Sequence, residues 1–307
     1  MATIADSITQ IKASNIDLND KIYLSKSEDN IAYSLKMSEL IKKLKSNIIP
    51  TLKDYNYYTG NTQNIQQKFG FNATDTSQEF WDALANNVVH GNASRIQYGD
   101  IVYAPIHWAG PNFDGTLTLW QVVDINRYGN DLIFRPYNSS WYGTISHNST
   151  DSNTVGWSGS RIRSMFNGES EISKIPASSP VKTAGLNKAI DDACGGHLRK
   201  ISRSLAKYEN NSWNHLEEVI DYAFLPTEKE ILGTTQYQLA TEGGNRFKLF
   251  QLGHNGYYNS SYTTWTCSPA WGGTGNFVPV SSGGVAYGGS AAYARSVCPC
   301  WCFGAGN

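Results

Sequence analysis

The runs Gly99-Asp100-Ile101-Val102-Tyr103-Ala104-Pro105-Ile106, Leu117-Thr118-Leu119-Trp120-Gln121-Val122-Val123-Asp124 and Asp131-Leu132-Ile133-Phe134-Arg135-Pro136 decide how the rest of the chain is read. The first alternates in polarity, the other two are rich in β-branched and aromatic residues, and turn residues separate them. That pattern predicts consecutive strands in a meander or hairpin series. Downstream the apolar period lengthens, and helices are predicted over 158–167 and 184–193, with a further helical piece near 216–222. The chain then returns to short, Gly-rich and aromatic-rich strands. Strands, then helices, then strands, without regular alternation, predict an α+β fold. No internal repeat is visible.

Upstream the organisation differs. Thr3-Ile4-Ala5-Asp6 has the form of a capping box, followed by Ile4, Ile8 and Ile11 on one stripe of a short helix. A second helix is predicted over 28–48, with Met37, Ile41, Leu44 and Ile48 on one face and Pro50 as its stop. This stripe has no evident partner in its own segment, so packing onto the rest of the chain and self-association or docking into an assembly are both open. Residues 51–95 read as a Tyr/Asn-rich connector with one helix, capped by Thr76 and Glu79 and carrying Phe80, Leu84 and Val88 on one face. The domain reading is therefore a helical anchor at 1–50, a connector at 51–95 and a main domain at 96–307.

Composition narrows the function. A net charge of -1 over 307 residues leaves no basic footprint for nucleic acid. Hydrophobic residues make up 40% of the chain, enough for a real core. Charged residues, at 17%, are sparse, and polarity comes from Asn, Ser, Thr, Gly and Tyr, a balance nearer to a paratope or adhesin than to a metabolic enzyme. No apolar stretch is long enough to span a membrane, and Met1-Ala2-Thr3-Ile4-Ala5-Asp6 has neither the basic nor the apolar region of a secretory signal. The six Asn-x-Ser/Thr sequons, at Asn72, Asn92, Asn138, Asn148, Asn210 and Asn259, follow from the Asn/Ser-rich composition and carry no weight.

Five elements in order over residues 97–303 resemble an uncharacterised domain family of gut bacteria and their phages. They are Trp120-Gln121-Val122-Val123-Asp124; Trp157-Ser158-Gly159-Ser160-Arg161-Ile162-Arg163 with Asn167; Asp221-Tyr222-Ala223-Phe224-Leu225-Pro226-Thr227-Glu228-Lys229-Glu230; Trp265-Thr266-Cys267-Ser268-Pro269; and Val297-Cys298-Pro299-Cys300. The resemblance implies a C-type-lectin-like domain with a twisted antiparallel sheet and a long irregular display region. Cys267 and Cys298 depart from it, standing where the family pattern has arginines. If their strands pair, two charged side chains give way together to two small apolar ones.

Cys298, Cys300 and Cys302 alternate, which places all three on one face of a strand. A buried core face, a Cys267–Cys298 disulfide and a metal site are the readings to separate; free cysteine is among the most buried residue types. The spacing is wrong for the paired knuckles of a zinc ribbon, and an odd, back-loaded set of five cysteines is no disulfide framework.

No catalytic constellation is legible. The six histidines have no metal-ligand spacing, and nucleophile elbow, phosphate loop and dinucleotide fingerprint are all missing from the sequence. His107, next to Trp108, and His254, next to Asn255, have the chemistry of a base or a ligand, but such histidines are more often ordinary strand-end residues. Glu228 and Glu230 read as a solvated or capping helix start after Pro226. The Glu-Pro-Asn triplet with which C-type lectins hold Ca²⁺ and sugar is not found, so no cofactor or metal is expected. A binding surface is better supported. The stretches 253–264 and 271–276 combine Gly and Asn, which accept tight-loop backbone angles, with Tyr and Trp, which supply rigid contact area and also suit sugars. The candidate ligand contacts are Asn255, Tyr257, Tyr258, Tyr262, Trp271 and Asn276. For the tyrosines and Trp271, exposure and burial fit the sequence equally well; Trp265 is expected in the core.

The opening twelve residues, Met1 to Lys12, look like the N-terminal helices that begin many phage fibre and adhesin proteins. That resemblance implies a virion protein joined to other virion proteins through its N-terminus, homo-oligomeric with a trimer favoured, recognising a host-surface glycan or protein, with no membrane insertion. The alternatives are a purely architectural virion part, such as a capsid decoration or fibre base, and a bacterial protein of the same domain family.

Overall fold

The computed structural model describes residues 21–25, 32–36, 62–89, 95–110, 113–137, 141–168, 185–254 and 263–304. The chain divides into two compact units, Met1–Asn56 and Tyr57–Asn307.

In the first unit, β1 (Lys21–Ser25) pairs antiparallel with β2 (Ala32–Lys36). The expected helix over 28–48 is therefore corrected at 32–36. The register sets Ile22 opposite Leu35 and Leu24 opposite Tyr33. Met37, Ile41, Leu44 and Ile48, and the helix expected at the N-terminus, lie outside the described residues.

The second unit opens with α1 (Ile65–Lys68) and α2 (Gln78–Val89). Phe80, Leu84 and Val88 of α2 are buried as the sequence predicts, but the N-terminal cap is Ser77, whose Oγ accepts the N–H of Phe80, and not Thr76. From residue 62 the supposed connector shares one core with the main domain: Trp81 of α2 lies 5.7 Å from Phe303 between ring centroids.

The meander forms as the sequence predicts. It comprises β3 (Ile101–Gly110), β4 (Phe113–Ile125) and β5 (Asp131–Pro136), all antiparallel neighbours. Pro105, which has no N–H for a ladder, falls where the β3–β4 register shifts, on the edge strand. Next come β6 (Trp141–Ser146), α3 (Arg161–Asn167) and α4 (Gly185–Ala193). Ser160 caps α3 and Gly168 ends it at φ 77°. Gly185, at φ +66°, opens α4 so close to that end that a Cβ would collide with the backbone of Gly168.

The helical piece expected near 216–222 is instead a strand. β7 (Ile201–Glu209) and β8 (Ser212–Asp221) form a separate hairpin. Leu216, Val219 and Ile220 have helical spacing, but Leu216 and Ile220 are exposed while Val219 and Asp221 are buried, a period of two. The remaining elements are β9 (Ala223–Phe224), α5 (Glu228–Leu232), α6 (Lys248–Gln251), β10 (Thr264–Pro269), β11 (Asn276–Val280), β12 (Gly289–Ser290), β13 (Ala294–Val297) and β14 (Cys300–Gly304).

Two five-stranded sheets carry the unit, in the orders β3-β4-β5-β14-β9 and β12-β11-β10-β13-β6. Every pairing within them is antiparallel except β10 with β13, which meet at Thr264 and Ser296. One apolar cluster joins both sheets and every helix but α5; in it Trp120 meets Trp301 edge-on at 5.7 Å, and Trp301 packs on Phe134 at 4.7 Å. The architecture is α+β, with mostly antiparallel sheets and few helices. Trp265 is in the core, as expected, its indole N–H bonded to Ile145 O.

All five cysteines are free and buried. The placement of three on one strand face is corrected. β13 ends at Val297 and β14 starts at Cys300, so Pro299 separates Cys298 from the strand that holds Cys300 and Cys302. Among the described residues no helix is long and apolar enough to cross a membrane.

Candidate functional site

A hairpin tip and two loop segments meet in an open cleft of about 610 Å³. The first is the tip of the β7–β8 hairpin. Glu209 pairs with Ser212, and Asn210 and Asn211 between them have φ of 52° and 59°, the two-residue turn of type I′ that asparagine tolerates. This tip presents Tyr208, whose ring lies 5.1 Å from that of Trp213.

The second segment is the 270–275 loop between β10 and β11. Its neck is closed by the N–H of Ala270 donating to Asn276 O at 2.9 Å. Asn153, fully buried, braces the loop from inside. Its side-chain amide donates to the carbonyls of Ala270 at 3.3 Å, Gly273 at 3.1 Å and Asn276, and its N–H donates to Thr274 O. Trp213 adds an indole N–H to Gly273 O at 3.2 Å, tying the loop to the hairpin.

The third segment, residues 234–240, is organised by one buried carboxylate. Glu228 Oε1 accepts from Thr234 Oγ1 at 3.2 Å and Gln236 N at 2.9 Å; Oε2 accepts from the N–H groups of Tyr237 at 3.0 Å and Gln238 at 2.9 Å. Gln238 is then braced in turn, accepting from Lys229 N and Ser268 Oγ and donating to the carbonyls of Leu239 and Glu242.

Trp271 stands where these segments meet. It is 57% exposed, yet its N–H donates to Tyr237 O at 3.0 Å and its indole N–H reaches Gln236 O at 3.4 Å. A large apolar ring is thus left largely in solvent while its backbone and its indole N–H are both tied to the 234–240 segment. Among the described residues that line the cleft none is charged; asparagine and glutamine amides, threonine hydroxyls and glycine backbone surround the aromatics.

Of the residues singled out in the sequence, Trp271 lines the cleft. Asn276 begins β11 and acts through its carbonyl, closing the loop rather than lining the cavity. Asn255, Tyr257, Tyr258 and Tyr262 lie outside the described residues. Sequence reading missed Tyr208, Trp213 and Asn214, for which the Asn210-Asn211 turn between two alternating runs was the available signal. It also missed Asn153, for which the sequence holds none.

Beneath the 234–244 segment lies a buried ionic network to which four of the five sequence elements contribute. Arg203 pairs with Glu230 at 2.7 Å, and Arg127 with Glu230 at 3.0 Å and Asp124 at 2.9 Å. Asp221 takes Arg163 at 2.8 Å and the indole N–H of Trp157 at 2.8 Å. Arg203 also donates to Cys267 Sγ at 3.6 Å.

Glu228 and Glu230 both lie in the first turn of α5, and Thr227 with Glu230 forms a capping box, so the capping reading holds. Both carboxylates are fully buried, which corrects the solvated reading. Burial alone would raise Glu230, but the Arg203 and Arg127 guanidinium groups outweigh it and hold the carboxyl below its usual range. Glu242 has no such pair, and burial pushes it up to about 7. This network is buried, and each of its carboxylates faces at least one guanidinium, while Arg203 Nε is left without a hydrogen-bond partner.

His147 is buried, stacked on Phe277 at 3.4 Å, and burial pushes its pKa down to about 3, so it is a neutral core residue. Among the described residues no cluster of His, Cys, Asp and Glu has the makings of a metal site. No protein-family model, curated protein or solved structure matches the chain.

Proposed function

We propose that the chain is a bacteriophage virion protein that displays a C-type-lectin-like receptor-binding domain, and that the Trp271 cleft is part of its host-contacting surface. The observation that carries this reading is the Trp271 ring, exposed in an open cleft, with its indole N–H bonded to Gln236 O and its backbone N–H to Tyr237 O. Leaving that much apolar area in water costs about 25 cal/mol per Å² relative to burying it, and a rigid aromatic platform regains that when a partner covers it. The order of the five sequence elements supports the lectin-like reading, as does the meeting of four of them in one buried network.

Binding is favoured over catalysis by the lining itself. Carboxylate, imidazole, thiol and amine are all missing from the described residues around the cleft, so it offers no general acid or base of ordinary strength near neutral pH. Assembly with other virion proteins, as a homo-oligomer, is assigned to the N-terminal segment.

The test is adsorption of the purified, labelled full-length chain to a panel of gut bacterial strains, beside its Trp271→Ala variant. Saturable binding to at least one strain is expected. If no strain binds the protein, the receptor-binding reading falls and the architectural one replaces it.

A further inference from the structure

We infer that the cleft is a subsite for an uncharged sugar, a pyranose unit of a neutral oligosaccharide stacked on the exposed face of Trp271. This rests on the receptor-binding reading and goes beyond it by naming the ligand chemistry.

Three observations converge. A pyranose presents a face of C–H groups that lies flat on an indole, and the Trp271 side chain is 57% exposed, its backbone anchored to Tyr237 O and its indole N–H directed to Gln236 O. The groups around that face are side-chain amides and hydroxyls, with Asn211, Asn214 and Gln236 exposed and Thr235 and Thr274 beside them. An amide that both donates and accepts matches adjacent sugar hydroxyls, which do the same. Finally, no lysine or arginine lines the cavity among the described residues, so a sialic acid, uronate or phosphate would lose water without gaining a counter-charge.

The cavity's 610 Å³ lies within the ~300–1,000 Å³ of small-ligand sites. Two walls are preorganised: Asn153 fixes the 270–275 loop, and Glu228 fixes 234–240. A fixed site binds without the entropy cost of ordering its loops. With no carboxylate in the lining, Ca²⁺ has no ligand set there and is not part of the recognition.

The experiment applies the full-length chain to an array of neutral, sialylated and uronate-containing oligosaccharides, with and without a chelator. The oligosaccharides that bind are then titrated by calorimetry. Binding to neutral members is expected, unaffected by chelator and weakened about thirtyfold or more by Trp271→Ala. Asn214→Ala, at an exposed side chain, should weaken it with no change in melting temperature. Tyr293→Ala, an aromatic 62% exposed elsewhere on the surface, should leave it unchanged.

Binding confined to acidic sugars, dependence on Ca²⁺, absence of array binding, or a Trp271→Ala protein that binds as the parent does would each overturn the sugar assignment. Adsorption to bacteria that survives periodate oxidation of their surface sugars would also overturn it, leaving the receptor-binding reading with a protein ligand. Absence of adsorption to any strain is the separate failure of that reading.

Discussion

Glu242 and Ala206 share one hydrogen bond, from the N–H of Ala206 to Glu242 Oε1 at 3.2 Å, while the equally buried Oε2 has no partner. An ionised carboxylate in that position would carry its charge into the interior with Oε2 unpartnered, so ionisation is disfavoured. Burial is the main cause of its raised pKa of about 7; the Ala206 N–H, Ser268 and Arg203 lower it in part, and Glu230 raises it further. Cys267 and Arg203 face it in the same interior.

The native state therefore keeps a proton that the unfolded chain releases near the ordinary value of 4.5. The stabilisation is complete below about pH 4.5 and is lost as pH rises through 7, a term of about 3 kcal/mol. Melting temperature should fall between pH 5 and 8, and Glu242→Gln should flatten that slope. A slope unchanged in the variant would show that Glu242 is not the group responsible.

Glu228→Gln replaces one carboxylate oxygen by an amide that confronts either the Tyr237 and Gln238 N–H groups or the Thr234 hydroxyl and the Gln236 N–H. A loss of about 3 kcal/mol is expected in urea unfolding. Amide hydrogen exchange at Gln236, Tyr237 and Gln238 should accelerate in the folded variant. Unaltered protection there would mean that the 234–240 segment is held by other contacts.

Arg203→Met leaves Glu230 buried with Arg127 alone and should cost about 3–5 kcal/mol. Adding Glu230→Gln, which keeps an acceptor for the cap, should recover part of that loss in a double-mutant cycle. Strict additivity of the two changes would show that the pair is not coupled.

Burial raises the thiol pKa of Cys194, Cys267, Cys300 and Cys302, and Cys298 is buried with them. In the native protein a thiol reagent should react slowly with all five, and with all five promptly once denaturant is added. Rapid native labelling, or fewer than five thiols after unfolding, would contradict the free, buried assignment.

The meander was legible because β3, β4 and β5 are consecutive and their turns are local. The β7–β8 hairpin was misread because Leu216, Val219 and Ile220 mimic a helical stripe; its Asn210-Asn211 turn is a two-residue signal easily outweighed by a longer period. Trp271 could be picked out by composition alone. Its surroundings could not, because they are assembled over long separations: Asn153 reaches carbonyls 117, 120 and 123 residues further on. The burial of Glu228 was equally hidden, since its four donors come from a loop with no periodic pattern. Residue spacing reports local geometry well, and says little about which distant backbone groups a polar side chain will satisfy.

β14 lies between β5 and β9 in its sheet, although it comes after every other described strand in the chain. During synthesis, the meander and β9 leave the ribosome well before the strand that joins them. Until Cys300–Gly304 arrives, β5 and β9 keep unpaired edges and Phe134 lacks the Trp301 ring against which it packs. Closure of this sheet is a late, long-range event, of the kind that is slow and exposes nascent chains to aggregation. Expression yield should therefore depend on what shelters those two edges before release as much as on the stability of the finished fold.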